Sequence, residues 1–154
     1  MSRTASLAQL VADVQAVLEA RSVTVPQALG RKHLEKHGAT TRIVWVPKGG
    51  SSAPAIRTKQ HPNSLATRLL TVEAWIFAEE YAQAERLLAQ VHAVLRSIAV
   101  GSFELRGEAP PPADSQHLVR GEVLIATFQI QLPLDDFPMT TATITGADVS
   151  PDIP

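Results

Sequence analysis

Residues 42–52 read Arg-Ile-Val-Trp-Val-Pro-Lys-Gly-Gly-Ser-Ser, or RIVWVPKGGSS. Four apolar residues in a row, Ile43 to Val46, read as a buried strand. Pro47 then removes a backbone donor, and the glycines and serines that follow carry no apolar phase. This pattern predicts a strand over 42–46 and a long loop over 47–64, rich in Gly, Ser, Pro and Lys/Arg. So long and basic a loop leaving a buried strand is unusual for a compact domain and suggests contact with something outside it.

Downstream, LATRLLTVEAWIFA (65–78) alternates with period two. Leu70, Val72, Ala74 and Ile76 form one apolar face, while Leu69, Thr71, Glu73, Trp75 and Phe77 form a mixed face that loops or another subunit would half-cover. Residues 79–99 carry the clearest helical stripe, with Ala84, Leu87, Leu88, Val91, Leu95 and Ile98 at helical spacing. Glu79 and Glu80 stand where the positive end of the helix dipole favours them. A short strand (102–107) leads into EAPPPADSQ (108–116), where three prolines forbid regular pairing. The last strand, 118–132, alternates cleanly from Leu124 to Leu132, and a bulge at Gly121–Glu122 would reconcile the odd-numbered Val119 and Val123 with it.

Upstream, Leu7, Leu10, Val11, Val14 and Leu18 make one amphipathic stripe. Thr4 or Ser6 can cap that helix, and VTVP (23–26) ends it. QALGRKHLEKHG (27–38) reads as a short second helix closed by Gly38. The order α-(α)-β-β-α-β-β predicts an α+β domain: a four-stranded, mostly antiparallel sheet with two main helices packed on one face. It is expected as a single domain over 1–136, with 137–154 as an extended acidic tail.

Composition bounds the function. The chain has 154 residues, enough for a sizeable core, and no cysteine, so disulfides and thiolate metal sites are excluded. Asp13 and Gln15 interrupt the N-terminal apolar stretch, which is not expected to act as a signal peptide. No run approaches the roughly 18 apolar residues of a membrane span, so no membrane partner is expected. The net charge of −1 hides a sharp division. Residues 31–68 hold eight Lys/Arg against one acid, a net of +7, whereas residues 69–154 hold four against twelve, a net of −8. Such separation suits a nucleic-acid footprint, a docking pair of opposite surfaces, or two solvated faces.

Chemistry-bearing motifs are scarce. His33 and His37 lie at i and i+4, but Leu34 occupies the position where a zinc protease carries its glutamate, and no third ligand is marked. PKGGSS lacks the spacing of a phosphate loop, and no G-x-S-x-G elbow occurs. Asp135-Asp136 lies between Pro133 and Pro138, a turn context rather than an acid/base pair. His92 is one position from the apolar stripe of its helix and reads as a packed or half-exposed side chain. No catalytic set, cofactor motif or metal set emerges, and the chain is not expected to be an enzyme.

The succession of amphipathic helix, RIVWVP strand, basic loop, TVEAWIFAEEYAQAERLLAQVHAVLRSI and RGEVLIATFQIQLPLDD resembles the tail terminator (tail completion) proteins of long-tailed bacteriophages and phage-like particles. It covers roughly residues 5–135 and rests on element order and segment pattern. The resemblance implies a structural protein that forms a homo-hexameric ring on the tail tube, stops its elongation and presents the surface for head–tail joining. Implied partners are other copies of the chain, the tail tube protein and a head-side neck or connector protein, with DNA passing the lumen without specific binding. The implied location is the neck end of the virion tail, after assembly in the host cytoplasm. Lys48, Arg57, Lys59, Trp75, Asp135 and Asp136 are the candidate inter-subunit, tube or connector contacts. The alternatives are a neck or connector protein, a DNA-binding module using the basic 31–68 segment, and a small-molecule sensing α+β domain.

Overall fold

The computed structural model describes residues 6–35, 41–54, 64–98, 103–112 and 121–135. Helix α1 (Leu7–Ala20) starts at Ser6, whose hydroxyl accepts the Gln9 amide at 3.1 Å. Its buried residues are Leu7, Leu10, Val11, Val14 and Leu18, the stripe seen in the sequence. Next come strand β1 (Gln27–Leu29), a 3-10 helix (Arg31–Glu35), β2 (Arg42–Ala53), β3 (Ser64–Ala78), helix α2 (Tyr81–Ile98), β4 (Phe103–Ala109) and β5 (Glu122–Asp135).

The sheet has five strands in the order β1-β2-β3-β5-β4. This corrects the four-stranded expectation. The extra strand is β1, which replaces the start of the expected helix over 27–38 and pairs parallel with β2, Gln27 opposite Ile43 and Leu29 opposite Trp45. The physical reason is local. Pro26 biases Val25 away from helical geometry, and Val25 is buried. The Ile43 amide donates to the Pro26 carbonyl at 3.0 Å, and the Gly30 amide donates to the Trp45 carbonyl at 2.8 Å. Gly30, at φ 120°, then turns the chain into the 3-10 helix. All other pairings in the sheet are antiparallel, so the sheet is mixed.

A second difference concerns residues 47–53. Strand β2 does not stop at Val46; it continues to Ala53, paired with Thr67, after a register shift between Pro47 and Gly49 that leaves Lys48 as the extra residue. Pro47 is tolerated because its missing donor falls on the edge away from β3. Ile43 and Trp45 already turn their backbone groups outward to β1, and Pro47 keeps that parity. Similarly β4 extends to Ala109, while Pro110–Pro112 carry no regular structure.

One sheet face packs beneath α1 and α2. Ile43, Trp45, Leu70, Val72, Ala74, Ile76, Leu124, Phe128, Ile130 and Leu132 join the helix stripes in one core. The opposite face carries a separate cluster of Val44, Val46, Trp75, Phe77, Val123 and Ile125, with Leu34 of the 3-10 helix over it. This second cluster explains the odd-numbered Val123. It stands opposite Phe77, and Ile125 opposite Trp75, so both faces are apolar at that end of β5. The register shift in the described β3–β5 pair lies at Ser64/Ala66, and Val119, whose phase the expected bulge was to explain, lies outside the described residues. Gly121 has φ 84°, and a Cβ there would lie 2.3 Å from the Ala78 carbonyl oxygen, so glycine lets β5 begin against the end of β3.

Candidate functional site

The sheet order leaves β2 with a split outer side. Residues 43–45 are covered by β1; among the described residues, nothing pairs with that side from Val46 to Ala53. Residues 47–52 are exposed, and the small side chains of residues 49–52 leave the backbone accessible there. Alternation after the Lys48 bulge aims Gly49 and Ser51 at β3, as partners of Thr71 and Leu69, and Gly50 and Ser52 outward. A cleft of about 220 Å³ opens where this edge begins, lined by Gly30, Arg31, Val46, Pro47 and Lys48. Its two long side chains are both cationic.

Lys48 also touches the face below. Its Nζ lies 3.9 Å from Oε1 of Glu73, with the lysine side chain 45% exposed and the glutamate 21%. At that distance and exposure the pair contributes less than about 1 kcal/mol. The same Glu73 oxygen accepts the Trp75 indole N–H at 3.1 Å. Trp75 is buried, its ring 6.5 Å from that of Phe77. The guanidinium of Arg42 lies 3.9 Å from the centre of the Phe77 ring. Burial holds Arg42 below the ordinary arginine pKa by desolvating its charge.

The structure therefore brings Lys48 and Trp75 together through Glu73, a residue that strand parity places only on a mixed face. Asp135 ends β5 opposite Ser64. Arg57, Lys59 and Asp136 lie outside the described residues, as do His37, Gly38 and the tail after residue 136. His33 sits half-buried on the 3-10 helix. His92 lies edge-on to Phe103 at 5.5 Å and lines a cleft of about 210 Å³ with Glu85, Leu88, Leu105 and Glu108. Among the described residues no group of three His, Cys, Asp or Glu side chains could hold a metal ion. No described helix is long and apolar enough to cross a membrane.

The open edge is hidden in the sequence because Gly49-Gly50-Ser51-Ser52 has no apolar alternation to betray a strand. The signal available is indirect: residues 47–53 stand a short connection before the alternating residues 66–72, at a separation that suits an antiparallel pair. The chain matches no protein-family model and no curated protein.

Proposed function

We propose that the chain is a structural subunit of a ring, acting as a tail terminator of a phage-like particle, with other copies of itself, the tail tube protein and a neck protein as partners. The observation that carries this reading is the exposed β2 edge with its cationic cleft, in a chain whose charges are divided between a basic 31–68 and an acidic 69–154. A ring of heterologous contacts joins one patch on each subunit to a different patch on its neighbour, and opposite charges suit that geometry. The proposed role is assembly without turnover, at the neck end of a virion tail.

A charge-reversal variant, Lys48→Glu/Arg57→Glu/Lys59→Glu, tests the reading. The expected result is loss of the oligomer in sedimentation velocity with little change in the monomer's thermal midpoint, since Lys48 contributes less than about 1 kcal/mol through Glu73. An unchanged oligomer distribution would remove the basic segment from the interface.

A further inference from the structure

An exposed strand edge is a standing template for pairing, and stable proteins cover or blunt it. The β2 edge from Val46 to Ala53 is blunted by Pro47 and Lys48 only at its start; Gly50 and Ser52 still turn donors and acceptors outward. We propose that this edge is covered by the C-terminal segment, residues 136–154, of a neighbouring copy, added as a sixth strand antiparallel to β2. The proposal rests on the ring reading but makes its own claim about which surfaces meet.

Charge selects the segment and the edge. Residues 136–154 contain Asp136, Asp148 and Asp152 and no Lys, Arg or His. The β2 edge offers Arg31 and Lys48 at its cleft, and exposed Arg68 lies opposite Ser52 across the β2–β3 pair. The far edge of the sheet, β4, presents Glu104 and Glu108, and its Arg106 is already held by Glu104 at 3.5 Å and by the Gln129 side chain. An acidic strand is therefore attracted to β2 and repelled by β4.

Sequence and length agree. Thr140-Thr141-Ala142-Thr143-Ile144-Thr145 is rich in β-branched residues, the composition that suits strand addition. Eight paired residues span about 26 Å, the length of the open edge, and with the strand beginning at Thr140 the four residues 136–139 form the linker, a reach of about 13 Å. Topology points to a neighbour rather than the same subunit. Strand β5 leaves the sheet at Asp135, at the end where β2 finishes and β3 begins, with β3 standing between them. A tail folding back on its own β2 would have to cross the start of β3.

The absence of cysteine makes the test direct. One full-length chain carries Ser52→Cys and a second, size-tagged chain carries Thr143→Cys; they are mixed and oxidised. The expected product is a disulfide heterodimer, absent when exposed Ala12→Cys on α1 replaces Ser52→Cys, and reduced severalfold by Lys48→Glu in the first chain. Repeating with Thr141→Cys and Thr145→Cys allows for register. No heterodimer from any of the three overturns the proposal, as does a Ser52→Cys/Thr143→Cys chain that closes only on itself. Native mass spectrometry of the unmodified chain is run beside it. Rings without the cross-link refute the strand and keep the ring; the cross-link without rings does the reverse.

Discussion

The indole Nε1 of Trp45 donates to the side-chain oxygen of Gln27 at 2.9 Å, tying the short first strand to the second across eighteen residues of sequence. Trp45 is fully buried in the main core, 6.2 Å from Phe128, so this bond anchors β1 to that core. It adds to the backbone bonds at Pro26 and Gly30 and to the packing of Leu29 on the core. Removing the bond by Gln27→Ala is expected to cost about 1–2 kcal/mol. Trp45→Ala adds a cavity and should cost about 3–5 kcal/mol. Urea titration of Gln27→Ala, Trp45→Phe and the double variant checks this, with a coupling energy of about 0.5–1.5 kcal/mol expected.

The same pair shows where the sequence was legible and where it was not. The helix stripes around Val14 and Val91 and the alternation around Val72 were readable because each element is long enough to repeat its period. β1 was not. Three residues cannot display a period, Gln27 looks polar until its indole partner is known, and Leu34 looks like the apolar side of a short helix rather than a lid on Trp75 and Phe77. The edge at Gly50 and Ser52 was invisible for a related reason: pairing alone holds it, and no side-chain pattern records pairing. Of the candidate contacts, Lys48 and Trp75 are the two whose side-chain partners the structure shows, and Glu73 joins them by contacts that strand parity alone could not specify.

Gly121 is expected to reject any side chain. Gly121→Ala places a Cβ against the Ala78 carbonyl at a positive φ, and the backbone strain alone costs about 1–3 kcal/mol. Gly107 lies in exposed β4, and a Cβ added there would meet nothing within 4 Å, so it should accept alanine without loss. Differential scanning calorimetry should separate the two variants by roughly 2–4 °C in Tm for each kcal/mol.

Arg42 over Phe77 is expected to stabilise without pH dependence. Burial lowers its pKa, but both folded and unfolded states still hold the proton across roughly pH 5–9, so the desolvation cost is constant there. Phe77→Leu should lose about 0.5–2 kcal/mol of cation–π attraction in addition to any packing change. Denaturation at several pH values should give the same difference between the two chains; a difference that changes through this window would contradict the assignment.

Duplex DNA is expected to bind too weakly to detect near 0.15 M salt, roughly the physiological ionic strength. The described basic side chains of residues 31–68 are spread over the 3-10 helix, β2 and β3, and Trp45 is buried, so no base-stacking surface accompanies them. Fluorescence anisotropy across a salt series checks this. Tight binding with a steep negative salt slope would favour the DNA-binding reading instead.

Assembly into a closed ring is the property on which the proposed function stands, and negative-stain electron microscopy of the purified chain over a concentration series reads it without intermediaries. Six-fold rings with a central hole are expected, more abundant with concentration and lost in the Lys48/Arg57/Lys59 charge-reversal variant. Compact monomers or two-fold dimers at every concentration, with and without a tail tube present, would contradict it.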